Sequence, residues 1–171
     1  MTETITDMNN TVSAKVMAGR DADAAKDSAE PAGAGNAAQA ESSAAAAASE
    51  GIAASLTLAK KFAKAISDKK GRDIVVLNIS RQSSFADFFV NATAGNTRML
   101  ATIKDEVIDE LEKLGGAAKG SEGTPETGWV LVDCGDVIVN IFLGEQRDKY
   151  QIEKIWSDAE IIDIGDIDSQ E

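Results

Sequence analysis

The sequence predicts an α/β protein: a single small domain with a mixed sheet flanked by helices, preceded by a disordered N-terminal tail. Three observations lead there. Apolar residues recur at helical spacing over 56–71 and 96–114. Short apolar runs suited to strands stand between and after them, at 73–79, 85–90, 129–133 and 137–143. Composition also changes near residue 52, from alanine-rich and acidic to a pattern able to bury a core.

Residues 1–55 hold 8 acidic and 3 basic side chains and runs such as "ESSAAAAASEG". Residues 1–52 have almost no branched or aromatic apolar pattern, so they cannot offset chain entropy by burial and are expected to be disordered. The run Ala44 to Ala48 has enough helix propensity for a transient helix. In "LTLAKKFAKAISDKKG", Leu58, Phe62 and Ile66 share one face, and Lys60, Lys61 and Lys64 fall largely on the other. Gly71 stops that helix. "DIVVLNI" and "FADFFV" read as strands separated by "RQSS". Asn96 or Thr97 caps the next helix, whose stripe is Leu100, Ile103, Val107, Leu111 and Leu114, and Gly115-Gly116 ends it. A loop over 117–128 leads to two strands joined by the "CGD" turn. "GEQRDKYQIEKIW" is expected to form a last helix with Tyr150, Ile152, Ile155 and Trp156 as its apolar members. The domain is placed at 53–165, with an acidic tail at 166–171.

Whole-chain properties exclude several functions. The chain has no histidine, which removes histidine-based catalysis and the usual zinc sites. Its one cysteine cannot form an intramolecular disulfide, and no apolar run approaches a membrane span. A net charge of −12 argues against dominant nucleic-acid contact and for a basic partner. A cytoplasmic protein is the resulting expectation.

The stretch "WVLVDCGDVIVNIF" raises the functional question. Asp133 and Asp136 could hold a metal ion, form a turn, or rim a docking surface. Metal-dependent nucleotidyl transfer needs convergent acids near a phosphate-binding turn. Yet Gly120-Ser121 sits in a loop, and the Asp-x-Asp pairs, Asp21/Asp23 and Asp166/Asp168, lie in polar ends. No cofactor is therefore expected, and the nucleotidyltransferase-like enzyme stands as the alternative. Turn and rim readings are compatible. Trp129, Leu131 and Asp133 share one strand face by alternation, which suits either core or a docking hot spot. Asp87 is either a strand-start aspartate bonded to a neighbouring N–H or a partner contact. Cys134 has no cationic neighbour in sequence to activate it.

Four blocks, "GRDIVVLNIS", "SSFADFFVNAT", "GWVLVDCGDVIVNIF" and "RDKYQIEKIWSDA", occur in an order that resembles the ribosomal silencing factor (RsfS, Iojap-related) family over roughly 56–163. The resemblance implies a nucleotidyltransferase-like fold without catalytic equipment, in a non-enzymatic protein. It implies binding to the large ribosomal subunit through its protein fourteen, blocking of small-subunit joining, and repression of translation under nutrient limitation; a homodimer is compatible with it. In the family the matching tryptophan lies at the partner surface, which implies that role for Trp129; Asp133 and Asp136 are expected to form the acidic rim of the same surface, with Cys134 beside it and Asp87 as a further candidate contact. Where the family carries a tyrosine and a histidine, this chain has Cys134 and Asn140; Ala94 replaces a glycine and Asn96 a serine.

Overall fold

A computed structural model describes residues 37–165, with side chains from residue 45 onward. The first helix, α1 (Ala37–Asp68), leads into β1 (Arg72–Asn78) and β2 (Phe88–Ala94). Helix α2 (Thr97–Lys113) follows, then β3 (Gly120–Glu122), a 3-10 turn at Pro125–Thr127, β4 (Trp129–Asp133) and β5 (Val137–Leu143). Two short helices, α3 (Gly144–Tyr150) and α4 (Ile152–Ile155), and β6 (Glu160–Ile162) complete the order. The strands form one six-stranded sheet in the order β3-β4-β5-β2-β1-β6. Only the central β2–β5 pairing is parallel; the other four are antiparallel, so the sheet is mixed as expected.

Alternation along the strands creates two faces. Phe88, Val90, Ala92, Val130, Val132, Val137, Val139 and Ile141 point to the first, which α1 and α2 cover with Phe62, Ile66, Leu100, Ile103 and Val107. Each fully buried side chain of this size contributes about 1.5–3 kcal/mol. That face is the main core. Leu77, Phe89, Trp129, Leu131, Ile138 and Phe142 point to the second face, which Ile152 and Trp156 cover. Trp156 meets the Phe89 ring edge-on at 5.4 Å, the core role expected of it.

Several boundaries differ from the sequence reading. Helix α1 begins at Ala37 rather than near Leu56, so residues 37–52, expected to be disordered, continue the helix. Alanine carries the lowest cost of helix extension, and a helix nucleated by packing at Phe62 and Ile66 propagates cheaply through an alanine run. The remainder of that tail, 1–36, and the acidic end, 166–171, lie outside the described residues, together with Asp21/Asp23 and Asp166/Asp168. Strand β2 starts at Phe88 and runs to Ala94, because Ser83 and Asp87 hold 83–87 in bonded turns and the strand continues through Asn91 and Thr93. The last helix breaks at Gln151, which has a left-handed φ of +46°. Leu114 lies beyond the end of α2 and is exposed. The cap is as expected: Asn96 Oδ1 accepts from Met99 N–H at 2.8 Å.

Candidate partner-binding site

The hairpin turn between β4 and β5 sets the acidic residues in place. Gly135 has φ +92°, a backbone that only glycine adopts without strain. Its N–H donates to Asp133 Oδ1 at 3.0 Å, and Cys134 N–H donates to Val137 O at 3.0 Å. Asp133 is thus a turn-forming aspartate. Parallel pairing of β2 with β5 brings the start of β2 beside this turn, where Asp87 and Phe88 N–H donate to Asp136 O at 2.7 and 3.1 Å. The Asp87 carboxylate accepts from the buried Ser55 Oγ of α1 at 2.9 Å. Its carboxylate partner is therefore a helix serine rather than the neighbouring N–H expected for a strand start.

Asp87, Asp133 and Asp136 gather at one end of the sheet, the first two half-buried and Asp136 exposed. Lys119 lies against Gly135 of the same turn, and its backbone N–H donates to Asp133 O at 2.7 Å. Among the described residues, no three His, Cys, Asp or Glu side chains are grouped to hold a metal ion. Cys134 is buried, and burial, with the Asp133 charge second, pushes its thiol up to about 12. It is a neutral thiol inside the first face, so its side chain forms no part of the acidic surface.

Trp129 stands elsewhere. It shares the face of Asp133, as alternation requires, but at the opposite end of β4 and 2 % exposed. Its ring stacks on Phe142 at 5.1 Å and packs against Tyr150 at 4.7 Å. The expectation of Trp129 as an accessible contact beside the acids is corrected accordingly. The last turn of α3 covers the tryptophan, and four residue steps along β4 put Asp133 roughly 13 Å away.

A buried polar chain, missed in the sequence, begins at this tryptophan. Trp129 Nε1–H donates to Asn140 Oδ1 at 3.2 Å, and Asn140 Nδ2 donates to Asn91 Oδ1 at 3.0 Å. Asn91 Nδ2 donates to Glu153 Oε1 at 3.3 Å, the same oxygen that takes Arg147 Nη2 at 2.8 Å. Arg147 Nη1 donates on to Thr93 Oγ1 at 2.8 Å and to Asp73 O. Asn91 and Asn140 are 0 % and 1 % exposed and face each other in the β2–β5 register. The available signal was two asparagines inside apolar strands, since a buried amide needs partners. Beside this chain, Tyr150 Oη and Trp156 Nε1 are buried and find no hydrogen-bond partner among the described residues.

Comparison with known proteins bears on what this surface serves. The family model described as "Ribosomal silencing factor during starvation" matches residues 52–171. The ribosomal silencing factor RsfS of Bacillus subtilis is 35% identical over 108 residues, covering 63% of this chain and 92% of that protein. The chloroplastic Iojap protein of Zea mays is 34% identical over 109 residues, covering 64% of this chain and 47% of the relative. A crystal structure of a Chromobacterium violaceum protein, 36% identical, superposes with a TM-score of 0.56 and covers 62% of this chain and 86% of that one.

Proposed function

The chain belongs to the ribosomal silencing factor family, and from that premise we propose that it binds the large ribosomal subunit, through large-subunit ribosomal protein fourteen, and sterically keeps the small subunit from joining. The observation that carries this reading is the family match over 52–171, a span that includes every strand of the sheet. Such a factor needs shape and charge and no turnover; translation is then repressed in proportion to occupancy.

The contact surface we assign has two parts. Asp136, with Asp87 and Asp133 behind it, offers negative charge to a basic ribosomal surface and steers the encounter. Trp129 acts at the other end of β4 through its cover: it supports Tyr150, whose buried hydroxyl has no partner among the described residues, on a helix turn that ends at the strained Gln151. A cover with an unsatisfied hydroxyl is displaced at less cost than a fully bonded one. Cys134 backs the acidic turn from the core side. Sucrose-gradient sedimentation with separated ribosomal subunits tests the assignment. The protein should travel with the large subunit and not the small one; free protein remaining at the top of both gradients would overturn it.

A further inference from the structure

At the sheet end opposite the aspartates lies a cavity of about 460 Å³, walled by Asp73, Thr93, Arg147, Asp148, Glu153 and Lys154 among others. Its position follows from topology. β2 and β5 are the parallel pair, and their carboxyl ends, at Thr93 and Gly144, open into it. The chain leaving β2 turns into α2 on the first face, whereas the chain leaving β5 turns into α3 and α4 on the second. In open sheets with parallel strands, such a divergence at the carboxyl ends leaves a crevice that takes ligands. The volume falls within the range of small-molecule pockets.

The walls are specialised rather than incidental. β1 carries a bulge between Arg72 and Val75, and Asp73 within it has φ +50°. Gln151, across the cavity, has φ +46°. Left-handed backbone is unfavourable for non-glycine residues, and strain of this kind gathers at ligand clamps. Asp73 O and Thr93 Oγ1 fix Arg147 Nη1, while Glu153 fixes Nη2, which engages three of the five guanidinium N–H donors. The Lys154 ammonium and the Asp73 and Asp148 carboxylates make no ion pair or side-chain hydrogen bond among the described residues.

Beside the Arg147–Glu153 ion pair, the cavity therefore presents one cation, Lys154, and two carboxylates, Asp73 and Asp148, that pair with nothing among the described residues. The carboxylates repel a polyphosphate, and among the described residues no three acids converge to hold a metal ion. A small molecule carrying one charge of each sign meets neither obstacle. We propose that this crevice binds a small zwitterion of the α-amino-acid class, its carboxylate held by Lys154 and the remaining donors of Arg147, its ammonium by Asp73 and Asp148. Glu153 bonds both Arg147 and Asn91, so occupancy reaches the Trp129 indole through Asn91 and Asn140.

The test uses the full chain carrying Trp156→Phe, which removes an indole N–H without a partner among the described residues and leaves Trp129 as the sole tryptophan reporter. Each standard protein amino acid is titrated in turn, and Trp129 fluorescence and calorimetric heat are followed together. At least one should bind saturably, and its N-acetyl and carboxamide derivatives, each lacking one charge, should not. Lys154→Ala and Asp148→Asn alter exposed side chains and should each weaken binding about tenfold, the loss expected for one charge-assisted bond. Absence of binding at millimolar amino acid overturns the proposal. So does equal binding of the capped derivatives, or of both variants.

Discussion

Asn140 is the side chain on which the second face depends most. It accepts from Trp129 Nε1 and donates to Asn91 Oδ1, so Asn140→Leu strands two buried groups at once. Each should cost about 1–3 kcal/mol, read as a lower urea midpoint with unchanged slope. Asp133→Asn with Asp136→Asn should behave oppositely. The asparagine carbonyl can still accept from Gly135, and Asp136 contributes its backbone oxygen to the fold. Melting should therefore stay unchanged while large-subunit binding weakens at low salt, with the difference shrinking at high salt. Failure to fold would make these aspartates turn residues only; full binding at low salt would remove the acidic rim. Cys134 gives a pH signature. Below the ordinary thiol range both folded and unfolded chains keep the proton, so the thiol adds no slope. As pH rises toward about 12 the unfolded chain ionises first, and stability should fall; Cys134→Ala should flatten that part of the curve. Asn96 was legible as a cap because capping is local. Asn91 and Asn140 were not, because their partners lie on other strands.

Among the elements, α2 and β5 could be read directly, since their apolar spacing matches the face they bury. β2 could not be bounded the same way. Its second half, Asn91-Ala92-Thr93, lacks an apolar signature, and the asparagine is tolerated only through its bonds to Asn140 and Glu153. β3 and β6 are three residues each, too short for alternation to register. The break between α3 and α4 was hidden because Gln151 is an ordinary helix former held left-handed by its surroundings. Gln151→Gly should relieve that strain and raise stability by about 1 kcal/mol, seen as a small rise in melting temperature. Gly71 is the opposite case. A Cβ there would lie 2.3 Å from Ile66 Cγ2 and 2.9 Å from Ile66 O. Gly71→Ala should therefore destabilise by about 1–3 kcal/mol.

For the molecule as a whole, the mixed sheet with a helical cover followed from the order of segments, and the family match accounts for most of that span. Site geometry was less legible, because strand alternation places Trp129 and Asp133 on one face without revealing that α3 covers only the tryptophan. Among the described residues, no helix is long and apolar enough to cross a membrane. We take residues 53–165 as the functional unit, and Ile52 already packs against its core. A chain beginning at Gly51 should melt as the full chain does; loss of several degrees would mean the preceding segment packs. The most direct test of silencing by occupancy is light scattering during association of separated subunits. Saturating protein should suppress joining stoichiometrically and without nucleotide, and it should do far less to ribosomes already joined, whose site is covered. Undiminished joining at saturation would contradict the assignment.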